Sequence, residues 1–414
     1  MRNHLTAIIT TITCSLGASL ASASEPYTRV RDLPDGKIAL EMCTRTFEPS
    51  ADYLPRVHMV SAIHVADKPY YAAMQDLLDA YDTVLFEGIK PAGLDPIDPD
   101  LDDSSIADAT QERLDLLVQI AQMHRASQGE FPSGFRELAS SDDKRVASIV
   151  NSVRTDGWGN SIATRMTTRV VNGAKTVQIE FVSYGADGEE GGEGINADLA
   201  SASEPIDPDA APPESPEGIQ TQLANALRVS FQLDEMDTSN PEWINADMDI
   251  NQLQRSLSEY GEDSSQLLSM LDGESFSAKV AGFVLNFVAR SPQLSSMMKL
   301  MVMDMLEFAE QSDLLAQQMD ATHKVIVEGR NNVVIEYLED TIAEHPQYED
   351  IAIFYGAGHM VGLEESLIEM GYTPAADQWV QAMLVNPEDT GLSTMQVKMM
   401  RNMMKSSLKQ QMGR

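Results

Sequence analysis

The chain has 414 residues and carries 64 acidic side chains against 29 Lys and Arg, for a formal net charge of −35. So acidic a balance repels nucleic acid and anionic membrane and argues against both as partners. The length calls for two or three domains and can bury enough apolar surface to hold them without cross-links.

Met1 to Ala23 has Arg2, an apolar core from Leu5 through Leu20, and an Ala21-Ser22-Ala23 exit. That is the pattern of a secretory signal peptide over residues 1–23, with a periplasmic or extracellular destination after cleavage. Cys14 follows Thr13, a poor fit to a lipobox, so a lipoprotein is not expected. Without the leader, Cys43 is the only cysteine, and no disulfide within the chain is possible.

Val57, Met59 and Val60 form a short apolar run that ends in Ser61-Ala62-Ile63-His64. Tyr71, Met74, Leu77, Leu78 and Tyr81 follow at helical spacing, and Thr83 to Phe86 then reads as a buried strand delivering Glu87 and Gly88. This is strand, helix, strand, with a potential ligand or acid–base group at each strand end, where open α/β sheets build their sites.

Two stretches rich in Pro and acidic residues, 91–105 and 200–218, share the pentapeptide Pro-Ile-Asp-Pro-Asp at 96–100 and 205–209. Such matched linkers suggest a domain, residues 106–199, inserted into a host fold. Its sequence predicts a helix from Ile106 to Ser127 through Leu114, Leu117, Ile120 and Met123, ended by Gly129-Glu130-Phe131-Pro132. Two strand-like runs follow, Ala163 to Val171 and Thr176 to Ser183, with Asn172-Gly173 as a hairpin signal between them. The run from Val182 to Leu199, with Gly157-Trp158-Gly159-Asn160 and the Gly-Glu-Phe-Pro turn, resembles the head of the major pseudopilin (protein G) of type II secretion. That resemblance implies a bound calcium ion, with Asp187 and Asp198 as side-chain ligands, Tyr184 as a carbonyl ligand and Asn196 as an extra one. The loop's glycines and hard oxygen donors suit such an ion; a flexible acidic loop without one is the plainer alternative. A pseudopilin begins with a long apolar helix, and none precedes this insert. It is therefore expected to act as a rigid module that shapes access to the host's site or binds a partner.

After the insert, Ile219 to Leu233 reads as a helix, Asn240-Pro241 as a break, and Asp247 to Leu257 as a second helix. Phe276 to Leu315 is apolar and rich in methionine, but its uninterrupted runs fall short of the roughly 20 residues a membrane span needs. No integral membrane segment is expected in the mature chain, and core packing is a better use of these residues than a substrate groove. Charges return after Met319, with Asp320, His323, Lys324, Glu328, Arg330, Glu336 and Glu339 on another helical pattern. Ile351 to Tyr355 is an apolar run feeding Gly356-Ala357-Gly358-His359, and a helix through Leu363, Leu367 and Met370 closes at Gly371-Tyr372-Thr373-Pro374. The basic tail, Met395 to Arg414, is expected to be a surface helix docked on the protein's own acidic face.

Strand, small-x-x-His, helix thus occurs twice, at His64 and at His359. The two segments resemble the paired Gly-x-x-His motifs of the TraB/GumN (TIKI-like) family. Val327-Glu328-Gly329-Arg330-Asn331 is similar to its Glu-Arg-Asn region, and 226–232 with Trp243 to Met248 to its middle part. The resemblance covers roughly residues 50–90 and 219–375. It implies an α/β host domain, discontinuous over 24–90 and 219–414, with a small central sheet and flanking helices. It further implies a metal-dependent hydrolase of the peptidase class, acting on a polypeptide substrate.

By that resemblance His64 and His359 would hold a divalent transition metal (Mn, Co or Zn), with Glu87 as a ligand or general base. Imidazole and carboxylate donors suit such ions, which activate water. Arg330 would hold Glu87 or stabilise charge on a carbonyl oxygen, and Glu328 and Asn331 would orient these groups. Ser61 departs from the motif, standing where the family usually has glycine. The competing reading is a non-catalytic protein that binds a polypeptide or a secretion component in the same cleft. Haem or small-ligand binding through the histidines is a third. Set against all three, a histidine at a strand end is commonly only a core or surface residue, and Arg330 could be no more than Glu87's structural partner. No serine nucleophile elbow, paired-cysteine metal site or phosphate-binding loop is visible.

Overall fold

Short runs that are apolar on both faces need helices on both sides of the sheet they form, and the chain supplies those helices between them. The computed structural model describes residues 26–141, 144–171, 174–210, 219–259, 285, 288–310 and 324–412. The leader, the Asn172-Gly173 turn, residues 211–218 of the second linker and much of the methionine-rich stretch lie outside the described residues.

The host begins with β1 (Thr28–Asp32), β2 (Ile38–Glu48), β3 (Arg56–Ala62), β4 (Val65–Ala66), α1 (Lys68–Leu78) and β5 (Thr83–Phe86). The insert contributes α2 (Asp103–Gln128), α3 (Phe135–Ala139), α4 (Lys144–Ser152), β6 (Ala163–Val171), β7 (Ala174–Ser183) and β8 (Leu199–Ala202). The host resumes with α5 (Ile219–Leu227), β9 (Ser230–Phe231), α6 (Gln232–Glu235), β10 (Trp243–Asn245), α7 (Ile250–Glu259) and α8 (Pro292–Glu310). A π-helical turn, Lys324–Gly329, runs into α9 (Arg330–Glu344). The chain ends with β11 (Asp350–Gly356), α10 (Met360–Glu369), β12 (Thr373–Val385) and α11 (Thr394–Met412).

Among the described residues the host sheet has seven strands. At its centre β3, β11, β5 and β10 lie side by side and parallel. β2 runs antiparallel to β3, β1 and β12. Alternation along each strand feeds two cores. Val60, Val84, Ala352 and Phe354 face Tyr70, Tyr71 and Met74 of α1 and Leu300 and Met303 of α8. Val57, Met59, Leu85 and Ile353 face Val334 and Leu338 of α9 and Leu363 and Leu367 of α10. Each such side chain contributes about 1.5–3 kcal/mol when fully buried.

The architecture is mixed α/β, as expected, but the sheet is larger than the small one anticipated. The added strands are irregular. β12 carries Pro374 as its second residue, and its register shifts between Pro374 and Ala376 and again between Gln381 and Met383, which breaks the two-residue alternation. The helix expected over Ile219 to Leu233 stops at Leu227, because Arg228 takes a left-handed φ of 55° and Ser230 and Phe231 then pair with β4. The helix expected from Asp247 begins only at Ile250, after the unforeseen strand β10.

The insert has its own core, in which Leu114, Leu117 and Ala121 of α2 pack on Ile179 and Phe181 of the β6–β7–β8 sheet. It reaches slightly past the expected limits. Asp102 caps α2 by accepting from the N–H groups of Ser104 and Ser105, both at 3.0 Å, and β8 runs from Leu199 into the stretch read as linker. Host and insert are fastened close to the end of β5. Lys90, 3% exposed, pairs with Asp95 at 2.8 Å and donates to Tyr337 Oη of α9 at 3.0 Å. Arg113 of α2 donates to the Asp95 carbonyl at 2.9 Å, and Asn251 of α7 to Glu112 at 2.7 Å.

The basic tail docks as expected on the host's own acids. Arg401 of α11 donates through Nε and Nη2 to the two oxygens of Asp304 on α8, both at 2.7 Å, and Lys405 pairs with Glu307 at 2.8 Å. Asp304 is fully buried, so Arg401→Met would leave it with only Lys405, 3.5 Å away. We expect a loss of about 3 kcal/mol in denaturant unfolding, most of it recovered when Asp304→Leu is added.

Candidate functional site

All four parallel strands end at the same edge of the sheet, and each hands over a polar residue there. Glu87 follows β5, with its N–H donating to the Phe354 carbonyl of β11 at 3.0 Å. Its carboxylate crosses the end of β11, where Oε2 accepts from the Gly356 N–H at 2.6 Å. A Cβ on residue 356 would stand 3.0 Å from that oxygen, so the glycine allows the close approach. Arg330, the first residue of α9, donates through Nη2 to Glu87 Oε1 at 2.7 Å and to Asp247 Oδ2 at 2.6 Å, and through Nε to Asp247 Oδ1 at 2.8 Å.

Asp247 was not among the candidates drawn from the sequence. It is fully buried just past β10 and also accepts from the N–H groups of Gly88 (2.9 Å) and Met248 (2.8 Å). The one signal was an acid directly after the short run Trp243-Ile244-Asn245-Ala246, weaker than the apolar run that marked Glu87. His359, 5% exposed, sits in the turn after β11. Asn331 Oδ1 lies 2.7 Å from its Nδ1, and Asn331 Nδ2 donates to its carbonyl at 3.3 Å. An amide oxygen only accepts, so Nδ1 carries a proton here and Nε2 is the ring nitrogen turned to the cluster. That nitrogen is 3.7 Å from Glu87 Oε1 and 3.5 Å from Arg330 Nη1.

Burial alone would push the Glu87 carboxyl up. The Arg330 guanidinium, then His359 and His64, and the Gly356 N–H outweigh it, and Glu87 titrates below its ordinary 4.5. Burial likewise works against the charge on Arg330, but its bonds to Asp247 and Glu87 hold it above the usual arginine range.

His64 is exposed just beyond β3. Its carbonyl accepts from the Gln232 N–H at 2.8 Å, but its ring makes no hydrogen bond among the described residues. Glu328, expected to orient the site, is exposed on the turn before α9. Two positions along a helix is more than half a revolution, so Glu328 and Arg330 point to different sides. Asn331 does orient His359.

Glu87 Oε1 and His359 Nε2 are 3.7 Å apart, within the roughly 4.2 Å that two metal–ligand bonds of about 2.1 Å can span, and both face the Arg330 guanidinium. His64 is not placed as a third donor. Among the described residues no group of three His, Cys, Asp or Glu side chains is close enough to hold an ion.

In the insert, the loop after β7 folds back on itself. The Ala186 N–H donates to the Ile195 carbonyl at 2.9 Å, and Gly185, at φ +66°, lets residue 196 approach to where a Cβ would meet its backbone at 2.6 Å. Of the expected calcium ligands, Asp187 and Asp198 each accept from a loop N–H, of Glu189 at 3.0 Å and of Gly191 at 2.9 Å. Tyr184 and Asn196 lie at the two ends of the same loop.

Residues 99–202 match the family described as type II secretion system (T2SS), protein G. The match spans the insert and leaves the host strands and the Glu87–Arg330–His359 cluster outside it. No curated protein matches the chain, and no solved structure does. No helix among the described residues is long and apolar enough to cross a membrane.

Because folding lowers the Glu87 pKa, its contribution to stability is present above pH 4.5 and is lost as the pH falls through the folded-state value. Glu87→Gln should therefore cost about 2 kcal/mol at pH 7, and the gap to wild type should close as urea melts are taken below pH 4.5. A gap that stayed constant with pH would mean that the Glu87 charge is not what the cluster holds.

Proposed function

We propose that the chain is a secreted or periplasmic metal-dependent hydrolase, a peptidase of the TraB/TIKI type with a pseudopilin-like accessory module. The observation that carries this reading is the meeting of Glu87, Arg330 and His359, far apart in sequence, at the carboxyl ends of parallel strands. A purely structural ion pair accounts for Arg330 and its two acids. It does not account for His359, whose tautomer Asn331 sets and whose Nε2 is turned toward Glu87.

Glu87 and His359 would hold the transition metal (Mn, Co or Zn), with the exposed His64 turning in from the end of β3 as a third donor. When bound, such an ion polarises a carbonyl and makes water a better nucleophile at neutral pH. The chain's own groups supply the rest. Glu87, ionised at neutral pH, accepts a proton from water. Arg330, fixed by Asp247, offers positive charge to an oxygen that becomes negative during attack on an amide. The insert, with calcium in its glycine-rich loop, would form a stiff wall next to this edge.

A second reading, a non-catalytic protein that binds a polypeptide or secretion component in the same cleft, is favoured by the protein G match over residues 99–202. That match also supports a place outside the cytoplasm. Elemental analysis after dialysis separates the two, on wild type and on His64→Ala/His359→Ala. A transition metal present in wild type and lost in the double variant, with calcium retained in both, is the expected result. Calcium alone in both, with no transition metal taken up on titration, would rule out the metal-dependent reading.

A further inference from the structure

Strand β6 forms one edge of the insert's three-stranded sheet, with β7 on one side and no strand on the other among the described residues. Its nine residues, Ala163–Val171, pair with β7 one to one and without a bulge. In an antiparallel pair, alternate residues turn their N–H and C=O away from the partner strand, so about half of β6 offers backbone donors and acceptors outward. No hydrogen bond or ion pair among the described residues ties β6 to the host.

Proteins shorten, bulge, cover or charge their sheet edges, because an open row of backbone groups pairs readily with another chain. The opposite edge of this sheet follows that rule. β8 has four residues, and Gln111 of α2 donates to its Ala200 carbonyl at 3.3 Å. β6 is long, regular and free of proline. Register pairs Thr164, Met166 and Thr168 with Phe181, Ile179 and Val177, so these side chains leave the sheet on the face that packs on α2. Val170 follows on that face. Met166 is 48% exposed and Val170 72%, so an apolar strip runs on beyond the helix. The other face carries Arg165 and Arg169, and β6 has no acid. Arg165 is engaged within the insert, by Glu190 at 2.7 Å. Arg169 is exposed, and its guanidinium has no partner among the described residues.

We propose that β6 is a docking edge for an extended segment of another polypeptide, which joins the sheet as a fourth strand. Residues of that segment beside Met166 and Val170 would be apolar, and the alternate residue beside Arg169 acidic. A second copy of this chain does not meet that description. Two β6 strands overlapped antiparallel over residues 163–171 place Arg165 opposite Arg169 twice, and like charges directly opposite oppose pairing. The edge lies in the insert, outside the Glu87 cluster, and its use does not rest on the hydrolase reading.

The test uses the full mature chain and a fluorescein-labelled nonapeptide with blocked ends, in which valine alternates with glutamate, read by fluorescence anisotropy. The expected result is saturable binding that is lost when the peptide's backbone nitrogens are methylated. Arg169→Glu should weaken binding at least about five-fold, and a peptide with lysine in place of glutamate should bind that variant again, which also shows that it folds. No saturable binding by wild type would overturn the proposal, and an edge closed by other residues of this chain would give that outcome. Equal binding of the methylated peptide, or of the original peptide by Arg169→Glu, would overturn it too. So would a dimer in sedimentation velocity that becomes monomer with Val170→Lys, since the occupant would then be a second copy.

Discussion

The guanidinium of Arg330 is the group the rest of the site depends on. It is 6% exposed and stands between two carboxylates, with Asp247 gripping it through two parallel bonds and Glu87 through one. A buried charge of this kind is tolerable only when it is paired and hydrogen-bonded. That requirement draws three chain segments together, past β5, past β10 and at the start of α9. Desolvation makes the cluster all or nothing. Remove one partner and the others become buried charges without compensation, which is why the geometry is stiff enough to hold His359 at a set distance from Glu87.

The same elements tie the site to the insert. Three residues after Glu87, Lys90 bonds Asp95 and Tyr337, and Tyr337 is on α9, the helix that begins with Arg330. Asp95 in turn receives Arg113 from the insert's long helix. The inserted unit is therefore bonded to the structure immediately behind the strand end that carries Glu87.

Much of this was readable in the sequence, for a local reason. β3, β5 and β11 are apolar on both faces and end in a small residue or an acid, so their nature and the positions of His64, Glu87 and His359 could be read from neighbouring residues alone. The head-like insert was legible through its glycines and its strand pair, and the match over residues 99–202 agrees. What was hidden depends on lateral order. β10 has only three residues, too few for a pattern, so Asp247 appeared as one acid among many. The length of the sheet was missed because bulges in β12 scramble alternation. Glu328 looked equivalent to Arg330 in sequence, but helical rotation turns it to solvent. The exposure of His64 is a matter of packing that no spacing encodes.

The buried cluster is, on this reading, a working site and not only an internal ion pair. The most direct measurement is peptide-bond cleavage by wild type and by His359→Gln, each supplied in turn with Mn2+, Co2+ and Zn2+, with thermal unfolding recorded on the same samples. Wild type should cleave, and the variant should fold with a similar melting temperature and lose cleavage, because Arg330 keeps both carboxylates while the site loses its imidazole. Full cleavage by the folded variant, or none by wild type with any of the three ions, would contradict the claim and leave the cluster a structural clasp.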